Sequence, residues 1–450
     1  MRRLLKANRL IGLLAAALPF LAGCATPDQP RPESSSSDRI PAAVTNAIPP
    51  APTGPLTVEQ AVRQALACNR QIASLRAAVQ VAFQRRRAAT DITDPELRVQ
   101  TRSSTQSGSS TWIAGDDSEI MGIFFLPNPW LVVPRVDARK ADLRAAEADL
   151  RAASWLVTCD VRRFFAEINY LTNDMAFAVE LVRLNGDILK AVRSRAEQGA
   201  ATASDVVTAT RRYLQIQDDL DQTRHRYQLA QRGLAALLDM PPDSLRVATN
   251  TLAFPSLPES GIPFDQADRT AKQCRGDVAA LHWRVLAAGF AYREARNVRL
   301  PWIKELRAGY RDYSEQWWGG LQMDVPIFSW MKNHAGDVAR AQETLAGVNE
   351  TEGMRLVSQE IRDAIDQLDE SRRQQARYDN DVAPLIAAMR QTLATLRNTP
   401  NVMPDQVAAT ELQLVETLRL DLGSHWRYHL ALLNLERALG APLCETIKKG

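Results

Sequence analysis

Leu56-Thr-Val-Glu-Gln-Ala-Val-Arg-Gln-Ala-Leu-Ala-Cys68 lies over Ile262-Pro-Phe-Asp-Gln-Ala-Asp-Arg-Thr-Ala-Lys-Gln-Cys274 without a gap. The pairs Gln60/Gln266, Ala61/Ala267, Arg63/Arg269, Ala65/Ala271, Cys68/Cys274, Ala73/Ala279 and Leu75/Leu281 are identical. The same register carries Pro95 onto Pro301, which predicts that the opening helix of each half runs up to a proline before a strand. Val133-Pro134 and Val325-Pro326 repeat the match further on, as do Asp205 and Asp405. The chain is therefore read as a duplication rather than as several unrelated domains.

Residues 56–261 form the first repeat and 262–443 the second, each predicted as helix, strand pair, very long helix, tight turn and shorter return helix. The strand pairs fall at 95–127 and 302–328, the turns at 199–203 and 398–403. The first long helix, Val136 to Gln198, would be on the order of 90 Å long. Within it Leu143, Leu150, Val157, Phe164, Leu171 and Ala178 recur every seven residues, and Val161, Ile168, Met175, Val182 and Leu189 form a second series offset by four. Two interleaved heptad series predict coiled-coil packing against neighbours. The return helix from Ser204 to Leu238 packs back across Gly199. In the second half a helix from His334 to Arg397 contains Pro384, which should bend it, and Pro404 opens the return helix to Leu439.

The strand pairs decide the environment. Leu306, Ala308 and Tyr310 alternate with Glu305, Arg307, Gly309 and Arg311, and Trp317, Leu321, Met323, Val325 and Ile327 oppose Gln316, Gln322 and Asp324. Lipid on one side and water on the other produce that alternation, so Leu306, Tyr310, Trp317, Leu321, Met323 and Val325 are candidate lipid-facing residues. In the first pair Leu97, Val99 and Thr101 alternate with Arg98, Gln100 and Arg102, while Glu119 to Leu126 is apolar nearly throughout. Trp112, Trp130, Trp302, Trp317, Trp318 and Trp330 lie in or beside these segments, as an interfacial girdle requires. Four strands leave open edges, so a membrane barrel demands several copies of the chain. A soluble half-buried sheet carries the same alternation; the alternative is a lipid-anchored periplasmic scaffold that conducts nothing.

Arg2, Arg3, Lys6 and Arg9 precede an apolar run from Leu10 to Phe20, which reads 1–23 as a signal peptide. Leu21-Ala22-Gly23-Cys24 resembles the bacterial lipobox, which implies a covalent diacylglycerol and an N-acyl chain such as palmitate on Cys24. Ala25 after it, in place of aspartate, implies sorting to the outer membrane by the same resemblance. Residues 24–55 are rich in Pro and Ser and read as a tether; 444–450 read as a C-terminal tail. Loss of the four basic residues takes the formal +3 to about −1, which argues against nucleic acid. No later apolar run has the length of a transmembrane helix.

With Glu197-Gln-Gly-Ala-Ala-Thr-Ala-Ser-Asp-Val206 at the first turn and Tyr428-His-Leu-Ala-Leu-Leu-Asn-Leu-Glu-Arg-Ala-Leu-Gly440 at the end, the chain from Leu56 to Leu443 resembles the TolC-like outer-membrane efflux family. The resemblance implies a mainly α fold with a small β portion. It implies a homotrimer whose twelve strands close one barrel, whose helices form a periplasmic tunnel, and whose tips meet a periplasmic adaptor (membrane fusion) protein tied to an inner-membrane pump. The tips Gly199, Ala200, Ala201 and Thr202, with Asn398, Thr399, Pro400 and Asn401, would then close the aperture and touch the adaptor. Independently of that role, Gly199 suits a helix C-terminal cap, and Thr202 to Asp205 an N-terminal one. The chain departs from the family in lacking a glycine at the second tip, and Arg390 and Arg397 stand where a carboxylate ring would be expected. Asp381-Val-Ala-Pro384-Leu has some likeness to the metal-efflux branch.

The implied activity is a passive exit duct of a tripartite efflux system, not an enzyme, with the duct of a type I protein secretion system as the alternative. The mature chain has no G-x-S-x-G, P-loop, HExxH or CxxC pattern. His425 and His429 stand at i,i+4 without a nearby third ligand, so no metal site is expected. Counting along the helices places Cys68 about 27 residues before Pro95 and Cys159 about 25 after Pro134, at one height roughly 40 Å from the strands. Cys68–Cys159 is thus one candidate disulfide, and Cys274–Cys444, near one level at the waist, the other.

Overall fold

Residues 54–102, 117–248, 262–311, 316–327, 334–399 and 404–443 are described by a computed structural model. The expectation of a mainly α chain with a small β portion holds. Helix α1 (Val58–Cys68) starts at a capping box in which the Gln60 amide N–H donates to Thr57 Oγ1 (3.4 Å) and the Thr57 N–H donates to Gln60 Oε1 (3.1 Å). Helix α2 (Arg70–Ala88) follows after a break at Asn69, whose extended backbone (ψ 126°) lets Oδ1 accept from the amides of Gln71 and Ile72. The second repeat breaks at the aligned residue: α5 (Phe264–Cys274) and α6 (Gly276–Asn297) flank Arg275 (ψ 125°). The uninterrupted opening helix expected in each half is therefore two helices, and α2 stops at Ala88, ahead of Pro95.

Strands β1 (Glu96–Arg102), β2 (Asp117–Phe125), β3 (Trp302–Arg311) and β4 (Gln316–Asp324) form one antiparallel sheet in that order. One hairpin from each repeat contributes, joined through β2 and β3, where Ile120 faces Tyr310 and Phe124 faces Leu306.

Helix α3 (Pro129–Glu197) spans 69 residues, about 100 Å. It starts before Val133-Pro134, seven residues ahead of the Val136 expected from the sequence. Asn128 caps it and Pro129 occupies the first turn, so Pro134 falls inside the helix. Proline there removes the N–H that would reach the Trp130 carbonyl. Asn297 Nδ2 donates to that carbonyl instead (2.8 Å), so the end of α6 supplies the missing hydrogen bond. Helix α4 (Ala203–Leu238) returns along α3.

In the second repeat α7 (His334–Arg377) passes through a π-helical turn at Tyr378–Val382 into α8 (Ala383–Asn398), and α9 (Pro404–Leu439) returns. The π turn sits just ahead of Pro384 and absorbs its missing N–H by an i to i−5 bond from Ala383 to the Tyr378 carbonyl.

The duplication is repeated in the cores. Ala61, Ala65 and Ile72 meet Val161, Ile168, Leu234 and Leu238 in the first; Ala267, Ala271 and Val278 meet Ile361, Leu368, Leu435 and Leu439 in the second. Between the cores α6 crosses α3 closely enough that a Cβ on Gly276 would stand 2.6 Å from the Ala148 carbonyl oxygen and 2.7 Å from the Ala152 nitrogen. Gly276→Ala is accordingly expected to destabilise the protein by about 1–3 kcal/mol through forced separation of two backbones. Gly347→Ala, in α7 with open space around it, should instead stabilise by about 0.5–1 kcal/mol. Thermal melting of the two variants checks the contrast.

Candidate functional site

The sheet has two chemically distinct faces. Its register aligns Leu97 and Val99 of β1, Ile120 and Phe124 of β2, Leu306 and Tyr310 of β3, and Trp317, Leu321 and Met323 of β4 on one side. That side is bare: Leu97 is 73% exposed, Trp317 63%, Leu321 59% and Met323 54%. Val325, which follows β4, is exposed too. The other side carries Arg307, which donates to Glu305 (2.6 Å) and to Gln322, and Arg311, which pairs with Glu119 (3.3 Å) and lies over the Trp318 ring. Glu305 is buried there, as are Met121 and Ile123, whose presence made the β2 sequence look apolar on both faces.

The aromatic residues mark two levels. Trp130 and Trp302 stand at the helical end, where Trp302 Nε1 donates to the Leu126 carbonyl (3.2 Å), and Trp317 packs at a tilt against Tyr310 at the far end (centroids 5.2 Å). From Trp302 to Tyr310 is about 26 Å along the strand, close to the roughly 25 Å apolar band of a membrane barrel. Trp112 and Trp330 lie outside the described residues.

At the other extreme, α3 ends in a Schellman arrangement: Gly199 adopts φ +72°, the Ala200 N–H reaches the Arg195 carbonyl (2.8 Å) and the Gly199 N–H the Ala196 carbonyl (3.0 Å). Thr202 and Asp205 then form a reciprocal cap, with Asp205 N–H on Thr202 Oγ1 (3.2 Å) and Thr202 N–H on Asp205 Oδ2 (2.8 Å). The Thr202 backbone and hydroxyl donors hold the Asp205 carboxyl below its usual range. Gly199 and Ala200 are exposed, and nothing lies within 4 Å of a Cβ built on Gly199. At the second tip Asn398 ends α8 and the Thr399 hydroxyl donates to the Thr395 carbonyl (2.8 Å); Pro400 and Asn401 lie outside the described residues. Arg397 is paired with Glu411 of α9.

Between sheet and tips the repeats are tied by ion pairs around a buried Asp174, which the heptad pattern does not reveal. Arg419 of α9 forks onto Asp174 of α3 (2.5 and 2.9 Å) and also binds Asp219 of α4. Thr223, fully buried, donates to the same Asp174 carboxylate (3.3 Å). The only sequence trace of this cluster is an aspartate three residues after Leu171 and four before Ala178, inside an apolar stripe. Above it Tyr170 stacks on Trp426 (5.0 Å), and Arg162 and Arg437 pair with Glu436 and Asp160 across α3 and α9.

Cys68, Cys159 and Cys274 are free thiols, so the expected Cys68–Cys159 pair does not form. The break at Asn69 ends the single-rod geometry on which equal heights rested. Cys159 is buried toward Glu436 and Arg437 of α9, and burial, with Glu436, pushes its thiol up to about 12. Cys444 lies outside the described residues. His425 takes up Gln375 (3.1 Å) and Asp421 (3.7 Å), and His429 is buried edge-on to Trp426; among the described residues no group of side chains has metal-binding geometry.

Residues 61–239 match the sequence profile of a family described as outer membrane efflux protein. Over this stretch the chain is similar to the outer membrane efflux protein family. The matched residues run from α1 through α4, and the second repeat rebuilds the same core from aligned residues. Solved structures agree in fold. VceC of Vibrio cholerae, an outer membrane protein, is 19% identical with a TM-score of 0.66, covering 86% of this chain and 96% of its own. The CmeC outer membrane channel of Campylobacter jejuni is 15% identical with a TM-score of 0.64 over 87% and 88%. The MtrE outer membrane channel of Neisseria gonorrhoeae, in its open state, is 17% identical with a TM-score of 0.61 over 86% and 89%. No curated protein sequence matches significantly.

His429 gives the α3–α9 seam a pH signature. Burial pushes its pKa down to about 4 from the ordinary 6.5. The unfolded chain therefore binds the proton first, so stability falls as pH drops from 6.5 and levels off below 4, by at most about 3 kcal/mol. Equilibrium unfolding of the wild type and His429→Gln across that window should differ in slope; parallel curves would show that the imidazole is not held neutral.

Proposed function

We propose that the chain is the outer-membrane channel component of a tripartite efflux system, a passive duct that joins a periplasmic adaptor and through it an inner-membrane pump. The observation that carries this reading is the sheet: one face continuously apolar and bare over four strands, the other lined by paired charges, with β1 and β4 leaving an edge each. A polar backbone crosses lipid only in a closed barrel. Three copies placed edge to edge, β4 on the next β1, close twelve strands around the charged face and turn the apolar one to lipid.

The anchor follows the same geometry. Leu56 is fixed at the far end of α1 and α2, about 45 Å of helix from the strands, by its backbone bridge to Val247. A tether from a lipidated Cys24 at about 3.1 Å per residue is long enough to cover that distance. The duct does no covalent chemistry; cargo is selected by the pump.

Purified protein should crosslink as a trimer and give discrete single-channel steps in planar bilayers. Bilayers that stay sealed under conditions that open related channels would favour the non-conducting scaffold. Leu321→Arg puts a charge into lipid near mid-strand at a cost of about 2–4 kcal/mol and should abolish assembly, whereas Asp324→Asn on the charged face should not.

Small side chains at Gly199, Ala200 and Ala201 allow a neighbouring helical hairpin to approach the first tip closely, so the tips are assigned to adaptor contact. In cells making the adaptor, a photo-crosslinking residue at Ala200 should capture it and one at Leu321 should not. Capture at Leu321 alone would remove the tip as the docking point.

A further inference from the structure

Within one copy the helices below the sheet stand in a row. Helix α2 packs on α3, α3 on α6 and α6 on α7, in the order of the strands β1 to β4 that they adjoin. Helices α2 and α7 are the two ends of that row. On α7, Val338, Ala341, Leu345 and Val348 are spaced i, i+3, i+7, i+10, the pattern of a heptad seam, yet Val338 (57%), Leu345 (59%) and Val348 (57%) are exposed. The side of α7 turned to α6 carries Glu350, hydrogen-bonded to His282 (3.0 Å), and Gly353, which lies against Leu281. By the helical repeat the bare seam lies about half a turn from that side.

The outer side of α2 is lined by small residues. Ala73, Ala77 and Val81 are exposed at i, i+4 and i+8, on the side away from the buried Ile72 and Val79. Small residues there admit the larger side chains of a facing helix. Charge agrees with shape: α2 has five arginines and no carboxylate, while Asp337 and Glu352 bracket the seam of α7. Asp337 and Glu352 stand fifteen residues apart, as Arg70 and Arg85 do on α2. An antiparallel pairing therefore joins Asp337 to Arg85 and Glu352 to Arg70 in one register, which sets Leu345 on Ala77. Among the described residues of one copy Asp337 and Arg85 make no ion pair, and Glu352 and Arg70 hold only exposed partners, Arg355 and Asp239.

We propose that the bare seam of α7 receives α2 of a second copy, so that the helical rods carry the subunit boundary down from the strands. This rests on the barrel reading, in which β4 of one copy lies on β1 of the next: those strands adjoin α7 and α2, and the seam continues the same boundary. Helix α2 runs toward the strands and α7 away from them, so the two meet antiparallel. Leu345 and Ala77 each lie eleven residues from the strand-side end of their helix, about 16 Å along it, which is the register that the charge spacing selects. One copy cannot make this contact with itself, because α3 and α6 stand between α2 and α7.

Full-length Leu345→Cys is combined in turn with Ala73→Cys, Ala77→Cys and Val81→Cys, and each protein is oxidised with copper phenanthroline. Covalent dimers and trimers are expected on non-reducing gels, most with Ala77→Cys, and well above each single variant and above Ala77→Cys with Arg340→Cys, which lies off the seam. Leu345→Glu, at a position exposed in one copy, should keep the helical circular dichroism and lower the trimer fraction in light scattering at least tenfold. Protein that is trimeric in light scattering yet links at none of the three positions would overturn the seam and leave the barrel reading standing. So would Leu345→Cys that stays open to a water-soluble maleimide in the trimer, since water or another partner then faces the stripe. Protein that stays monomeric overturns both.

Discussion

A four-stranded sheet that is apolar on its bare face and open at both edges is stable in neither water nor lipid as a single copy. In water the exposed face of Leu97, Val99, Leu321 and Met323 is an aggregation surface; in lipid the free ladder groups of β1 and β4 have nothing to bond. Self-association at those edges meets both demands at once. The rest of the chain can be understood as what holds four such strands, from two distant parts of one sequence, in a fixed relation to one another.

That relation is set below the strands. The hairpins of the two repeats are joined by the β2–β3 ladder, but their attitude depends on α3 and α6, which carry β2 and β3 and cross at Gly276. Asn297 pins the two helices at their upper end by completing the turn that Pro134 opens. Lower down, Arg419 joins α9 to both α3 and α4 through two carboxylates. A buried ion cluster adds little net stability compared with a packed apolar one, yet removal of a single member leaves an uncompensated charge. Its effect is to make one register of the two repeats far better than its neighbours, which an all-apolar heptad seam would not do.

Features set by side-chain period were legible in the sequence: the duplication, the two faces of β3 and β4, the coiled-coil rods and the caps at Gly199 and Thr202. Features set by backbone bonding were not. In Ala67-Cys-Asn-Arg70 the one trace of a break is Asn69, a preferred N-cap residue, and the aligned Arg275 has no capping propensity at all. Pro134 looked like a boundary because its helix-breaking effect is cancelled by a residue more than 150 positions away. At Pro384 a 3.6-residue count gives no sign of the π turn that takes up the missing N–H. The Cys68–Cys159 pairing failed with the straight-helix assumption beneath it.

The break at 69 and 275 carries a further step. At the first site an asparagine caps the next helix with its own side chain; at the second an arginine binds Asp277, Glu360 and the Ala438 carbonyl, and Asp277 takes the Val278 amide. Two unrelated sets of interactions hold the same backbone angle, 126° against 125°. The angle is thus the feature both repeats need, and the side chains are interchangeable means to it. The reason is geometric: α1 and α5 must lie across the ends of the return helices to close each core, while α2 and α6 must run up to the strands, and no single straight helix can do both.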